Sequence, residues 1–401
     1  MLRVLFIASA YPRHDGDVIT SWLGATVAKL RDAGIHVEVL APAFEGAPDH
    51  VVEGIRIHRF RYAPARWETL SHDNPIPWQL RERPLRFALI PGYVTACTMA
   101  ATRLTANGAF DVVHAFWPLP HAIPGIVARW IHRVPLVSTF FGAELHFFAT
   151  RHVMGRVAVR SIVRQSDAVT AISAFTAREL LDIAPTAEPV IIPFGAALSP
   201  PTAHDERLPF AELPAHFLFV GRLVARKGVD ILLAAFAKVV EESDAHLTIV
   251  GEGAERDRLE ALTASLELRD RVTFTGYIPD DVLHGLIGRC DALVLPAVND
   301  SVLGTEGLGV VLIEALSHGK PVIASDTGGI PDIVLHERTG LLVPPGDVEV
   351  LAASMRRLID NPDLAQALGA AGRAHVEAKF SWPVIVEALG RLYESVRAKR
   401  R

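Results

Sequence analysis

Cysteine is nearly missing from this chain: Cys97 and Cys290 are the two present in 401 residues. So few give neither a disulfide framework nor a cysteine-built metal cluster, and they fit a reducing compartment. No apolar run approaches the ~20 residues that a membrane-spanning helix needs. The apolar run inside MLRVLFIASAYP is too short for a secretion signal, and Tyr11-Pro12 closes it, so it reads as a buried first strand. No G-x-G-x-x-G follows that strand, which excludes the dinucleotide fingerprint of a dehydrogenase. The net charge of -5 leaves no surplus of cations for nucleic acid as a general partner.

Half of the chain is apolar, enough at this length for two domains with large cores. Charge is shared unevenly. Residues 1–195 hold nineteen Lys/Arg against sixteen Asp/Glu, and residues 196–401 hold twenty-one against twenty-nine. The mildly basic first half hints at an anionic acceptor or a membrane surface.

Short β-branched runs alternate with helical patterns throughout, which predicts parallel sheets built from β-α units. Residues 2–9 read as a strand, 21–33 as a helix ended by Gly34, and 35–41 as the next strand. Residues 51–61 read as an irregular strand pair. Helices follow over about 92–106 and 153–165, and Ser173 N-caps another. Arg156, Arg160 and Arg164 make a solvated basic stripe. Residues 67–91 carry Trp67, Arg81, Arg83 and Arg86, with Pro84 breaking any helical spacing, and read as solvated surface. Residues 198–214, rich in proline, form a linker. The pattern then restarts with a strand at 217–220, the loop 221–228, a helix over 229–240 and a strand at 246–250. Asp280 is placed as the N-cap of the next helix.

Residues 305–318, T-E-G-L-G-V-V-L-I-E-A-L-S-H, concentrate the chemistry. Glu306 and Glu314 bracket seven residues. A loop runs through Leu308, then a helix from about Gly309 to His318. Its start presents unpaired backbone N–H groups, a ready anion site, and Gly309 lets a ligand approach without a Cβ in the way. The bland alternative makes both glutamates ordinary solvated carboxylates. The helix is apolar nearly all round, however, so Glu314 is expected to be partly buried and to need partners. Upstream, Arg222 supplies a planar fork and Lys227 a point charge on one glycine-flanked loop. Asp15-Gly16-Asp17 mimics a metal-binding D-x-D but reads as a turn.

Glu306, Gly309 and Glu314, together with Gly221-Arg222-Leu223 and Lys227-Gly228, resemble the retaining glycosyltransferases of the GT-B fold, family 4, the group 1 glycosyl transferases. Other landmarks of that family follow in order across nearly the whole chain. The resemblance implies two Rossmann-like, doubly wound parallel-sheet α/β domains facing each other across a cleft that holds the active site. Residues 1–195 would bind the acceptor and 196–380 the nucleotide sugar, while 381–401 would cross back to the first domain. The implied reaction moves a sugar, a hexose by preference, from a nucleotide-diphosphate sugar such as a UDP- or GDP-sugar to a hydroxyl acceptor (glycan, lipid-linked or small molecule). It needs no metal or cofactor, and front-face attack lets the leaving phosphate assist deprotonation.

By the same resemblance, Arg222, Lys227 and the N–H groups of Gly309 and Val310 meet the diphosphate, as does the backbone of Gly16. Glu314 takes the ribose hydroxyls, Glu306 lies beside the donor sugar, and Tyr277-Ile278 face the base. Glu144 would lie near the acceptor or donor sugar. Two departures stand out. Asp17 occupies the place of a second glycine, and Phe141 that of a histidine facing the reacting sugar. His114 and His121, at strand ends on the acceptor side, are candidates to fill the histidine's role. The resemblance also implies a cytoplasmic place, compatible with peripheral contact of the N-terminal domain with the inner face of a membrane. Two alternatives remain open: a sugar-nucleotide epimerase on the same fold, and a catalytically degenerate sugar-nucleotide binder.

Overall fold

A computed structural model describes residues 1–15, 17, 19–71, 76–149, 152–196, 215–300 and 304–399. The chain divides into two compact units. One is Met1–Phe194 with Trp382–Arg401, and the other is Gly195–Ser381.

The first unit opens with β1 (Arg3–Ile7), α1 (Ser21–Asp32) and β2 (His36–Pro42). An antiparallel pair follows, β3 (His50–Val52) and β4 (Ile55–Phe60). Then come α2 (Ile76–Glu82), α3 (Ile90–Leu104), β5 (Val112–Phe116), α4 (Pro118–His132), β6 (Leu136–Phe140), α5 (Val153–Gln165), β7 (Ala168–Ala171), α6 (Ala174–Ile183) and β8 (Val190–Ile191). Ser173 does cap α6, its Oγ accepting from Thr176 N at 3.1 Å. Among the described residues the sheet order is β3-β4-β2-β1-β5-β6-β7-β8, parallel except for β3 with β4. Helices cover both faces, so β5 and β6 are buried along their whole length, including the polar His114, Ser138 and Thr139. The stretch 67–91 is less uniform than a solvated loop, since it holds α2 and a 3-10 turn, Pro84–Leu89.

The second unit runs β9 (His216–Val220), α7 (Val229–Val240), β10 (His246–Val250), α8 (Arg256–Ser265), β11 (Val272–Gly276), α9 (Asp280–Arg289), β12 (Ala292–Leu295), α10 (Val310–Ser317), β13 (Val322–Ser325), α11 (Ile330–Ile333), β14 (Leu341–Val343), α12 (Val348–Asp360) and α13 (Pro362–Lys379). Its described strands are all parallel, in the order β11-β10-β9-β12-β13-β14. Asp280 is not the cap of α9. It is the first helical residue, Pro279 stands at the cap, and no side chain caps that end. The strand order reverses between β9 and β12 here, and between β1 and β5 in the first unit. In doubly wound sheets ligands sit beyond the carboxyl ends of the strands at such a reversal.

The last helix, α14 (Trp382–Ala398), belongs to the first unit and packs on α1 and β5. Ile385, Leu389, Leu392, Tyr393 and Val396 are its buried residues, a single apolar stripe at helical spacing.

Candidate functional site

In the second unit the loop after β9 is tied to its neighbours by backbone hydrogen bonds. Gly221 N donates to Val250 O at 3.0 Å, Leu223 N to Glu252 O at 2.8 Å, and Gly251 N to Gly276 O at 3.0 Å. A 3-10 turn, Ala225–Lys227, ends the loop. From the other side of the reversal, the segment after β12 is joined to it where Val298 N donates to Arg226 O at 2.9 Å. This stitching brings Glu306 onto the cations of the first loop. Lys227 Nζ donates to Glu306 Oε2 at 2.5 Å, and Arg226 Nη1 donates to the same oxygen at 3.3 Å. The Glu306 and Lys227 side chains are each 12% exposed. Arg222 is exposed and within electrostatic range of Glu306, Arg226 and Tyr277.

Burial works to raise the Glu306 carboxyl, but Lys227, Arg226 and Arg222 overcome it and hold the group at about 2. Lys227 is itself lowered, first by burial and then by the neighbouring arginines, against the pull of Glu306. The two shifts share one setting, a secluded carboxylate and amine paired with each other beside two arginines.

The start of α10 lies in the same segment. Gly309 caps it at φ 88°. A Cβ there would point inward, 3.1 Å from Leu312 Cδ1 and 3.3 Å from Leu295 Cδ2. Left-handed backbone and tight packing are each enough to require the glycine. Gly328 has a related duty, because a Cβ would fall 2.0 Å from Glu306 O. Next to it, Gly329 N donates to that oxygen at 2.9 Å, which anchors the Glu306 backbone. Glu314 is buried, at 8% exposure, within α10. Tyr277, just beyond β11, is 64% exposed and Ile278 is half-buried.

In the first unit Gly16 lies outside the described residues. Asp17 is held by Arg13, whose Nε donates at 2.7 Å, and it accepts from Ile19 N at 3.2 Å. Asp15 accepts from Glu53 N at 2.9 Å. The two carboxylates thus serve separate partners, as a turn requires. Among the described residues no group of three or more His, Cys, Asp or Glu could hold a metal.

His114 and His121 are both buried and hydrogen-bonded on both ring nitrogens. His114 has no exposed surface; its Nδ1 hydrogen-bonds Tyr393 Oη at 2.8 Å and its Nε2 hydrogen-bonds Thr139 Oγ1 at 2.5 Å. His121 is 1% exposed and engages Tyr93 Oη and Trp117 O, each at 2.9 Å. Burial pushes the first down to about 3 and the second to about 4, which favours the neutral form of both rings. Glu144 also faces inward at 2% exposure. Its Oε1 accepts from Phe141 N at 2.7 Å, while its Oε2 is buried without a hydrogen-bond partner. Burial, reinforced by Glu179, pushes the carboxyl up to about 7 despite the Phe141 bond. Phe141 itself is stacked on Trp117, with centroids 4.3 Å apart and planes 18° apart.

The family described as "Glycosyl transferases group 1" matches residues 202–375, and "Glycosyl transferase 4-like domain" matches residues 21–195. A glycogen synthase of Mycobacterium tuberculosis is 30% identical over 437 residues, covering 100% of this chain and 96% of that protein. The chain belongs to the group 1 glycosyl transferases. Another relative at 30% identity, covering 97% of each chain, is the GDP-mannose-dependent alpha-(1-6)-phosphatidylinositol monomannoside mannosyltransferase of the same organism. Among solved structures, a sucrose-phosphate synthase from Thermosynechococcus elongatus superimposes with a TM-score of 0.79 at 26% identity, over 100% of both chains. Anabaena HepE in complex with UDP and glucose has a TM-score of 0.69 at 20% identity, over 98% of this chain and 100% of that one, and so shares the fold.

This protein is therefore a glycosyltransferase of the GT-B fold. Sequence reasoning missed one member of its cation cluster, Arg226, although the residue stands beside Lys227 in the same loop. The signal was present, but nothing local distinguishes an arginine that turns toward Glu306 from one that turns to water. Among the described residues no helix is long and apolar enough to cross a membrane.

Proposed function

We propose that this glycosyltransferase moves a hexose from a nucleotide-diphosphate sugar to a hydroxyl acceptor, with retention and without a metal. One observation carries the reading: Arg222, Arg226 and Lys227 surround a single carboxylate, Glu306, beside the start of α10 and at the strand-order reversal. Such a surplus of fixed cations suits a leaving diphosphate whose charge grows as the glycosidic bond breaks. The N–H groups of Gly309 and Val310 add donors of the same sign. Glu306, kept ionised, hydrogen-bonds a donor-sugar hydroxyl and steadies positive charge at the anomeric carbon. Glu314 takes the ribose hydroxyls, and Tyr277 with Ile278 meets the base.

The acceptor oxygen attacks the anomeric carbon on the face that the diphosphate leaves. The carbon–oxygen bond to the phosphate breaks, and a phosphate oxygen takes the acceptor's proton. No side-chain base is needed, which accords with phenylalanine at position 141. The mannosyltransferase relative is named as GDP-mannose-dependent and the Anabaena structure as a UDP complex, so both bases belong in the test.

The experiment is a thermal-shift panel of UDP, GDP, ADP and their hexose conjugates in EDTA, because a ligand that binds only the native state raises its melting temperature. One base is expected to raise it clearly, and Arg226→Met is expected to reduce that rise. No shift with any member, with or without added magnesium, overturns the donor assignment. A shift that appears only with magnesium overturns its metal independence.

A further inference from the structure

Four aromatic rings from four separate segments meet at the carboxyl ends of the first unit's strands. Trp22 lies on α1, Trp117 follows β5, Phe141 follows β6 and Phe194 follows β8. Phe141 is the middle ring. Trp117 stacks on it at 4.3 Å and 18°, and Phe194 at 5.4 Å and 24°. Trp22 packs on Phe194 at 4.0 Å and meets Trp117 edge-on at 5.6 Å and 66°.

Phe194 is buried, whereas Trp22, Trp117 and Phe141 all retain exposed surface. A cluster that served only as core would be closed over. Trp117 also stands at φ 50°, ψ 75°, a left-handed conformation that a bulky residue adopts only at a cost in free energy. Its carbonyl is engaged by buried His121. The backbone is thus held in a costly shape that keeps an indole at the end of the stack, next to the β1/β5 reversal where doubly wound sheets bind ligands. Glu179 supplies a polar edge: its Oε2 lies 3.2 Å from the point that a Cβ on Gly142 would occupy.

We propose that Trp117, backed by Phe141, Trp22 and Phe194, forms an acceptor platform that receives a pyranoside by the C–H face of its ring. The inference rests on the transfer reaction proposed above. That reaction requires an acceptor hydroxyl, so a wholly apolar occupant is unsuitable. A pyranoside offers both a C–H face for the rings and hydroxyl edges for Glu179 and for attack.

The test is saturation-transfer NMR with the methyl α-pyranosides of glucose, mannose, galactose and N-acetylglucosamine, run beside the nucleotide thermal shift. At least one pyranoside should receive saturation on the C–H protons of one ring face. Trp117→Ala should reduce that transfer about tenfold, the scale of losing an aromatic contact residue, while the nucleotide shift stays unchanged. Trp117→Phe, which keeps a ring, should retain most of it and serves as the folding control. The platform is overturned if Trp117→Ala transfers as well as the parent chain. It is equally overturned if nucleotides bind and no pyranoside receives saturation. If pyranosides bind but no nucleotide does, the donor assignment fails and the platform stands.

Discussion

Glu306 and Glu144 are both secluded carboxyls, yet their surroundings drive them in opposite directions. Glu306 has three cations about it and stays ionised far below neutrality. Acid-side changes in rate between pH 5 and 8 will therefore not report it. Replacing it with alanine should lower turnover by about a hundredfold, the usual scale for one preorganised charge in a transition-state site, and leave nucleotide affinity within a few-fold. Steady-state kinetics with isothermal titration would check this, and undiminished turnover would refute the role. Glu144 accepts from the Phe141 N–H, yet burial lifts its carboxyl from 4.5 to about 7. Between those values the folded chain holds a proton that the unfolded chain has released. Stability from this group is complete below about pH 4.5 and falls as the pH rises toward 7. Glu144→Gln keeps an acceptor for Phe141 and removes the titration, so across that window the melting temperature of the variant should gain on that of the parent chain as pH rises. Glu179, also raised to about 7, acts in the same direction in both chains, while the buried His114 and His121, held low, act in the opposite one. Identical slopes in parent and variant would contradict this account.

At the scale of the element, α14 shows how a distant segment completes a local structure. Its apolar stripe covers α1 and β5, and Tyr393 reaches into the sheet to hydrogen-bond His114, 279 residues earlier in the chain. Tyr393→Phe preserves the packing but leaves a buried imidazole nitrogen without its partner. The expected loss is about 1–3 kcal/mol in urea unfolding, and a loss well below that would mean that Thr139 alone satisfies His114. The helix α10 makes the complementary case. Its apolar composition was readable as a helix with a buried glutamate, and Glu314 is indeed buried there. What holds Glu306 in front of α10 came from elsewhere, namely the glycine turn at Gly328-Gly329 against the Glu306 carbonyl.

For the whole molecule, net charge proves a poor guide to chemistry. The second half of the chain is its acidic half, yet it contains the cluster of Arg222, Arg226 and Lys227. The strand order decides this. It places the loop after β9 beside the segment after β12, so cations and carboxylate meet although Lys227 and Glu306 are 79 residues apart. The same geometry in the first unit gathers Trp22, Trp117, Phe141 and Phe194, which no window of the sequence brings together.

The sequence by itself determined the alternation of strands and helices and the glycine-flanked loop that ends in Lys227. Each of these depends on periodicity, glycine placement or composition within about one or two helical turns, so short stretches suffice to express it. Only the tertiary structure decided that His114 and His121 are buried partners of tyrosines, that Arg226 joins Lys227 on Glu306, and that Phe141 is the middle ring of a stack. Burial and side-chain pairing depend on which segments the sheet order makes neighbours. That order is fixed by the summed packing of whole elements, and no single residue or short window contains it.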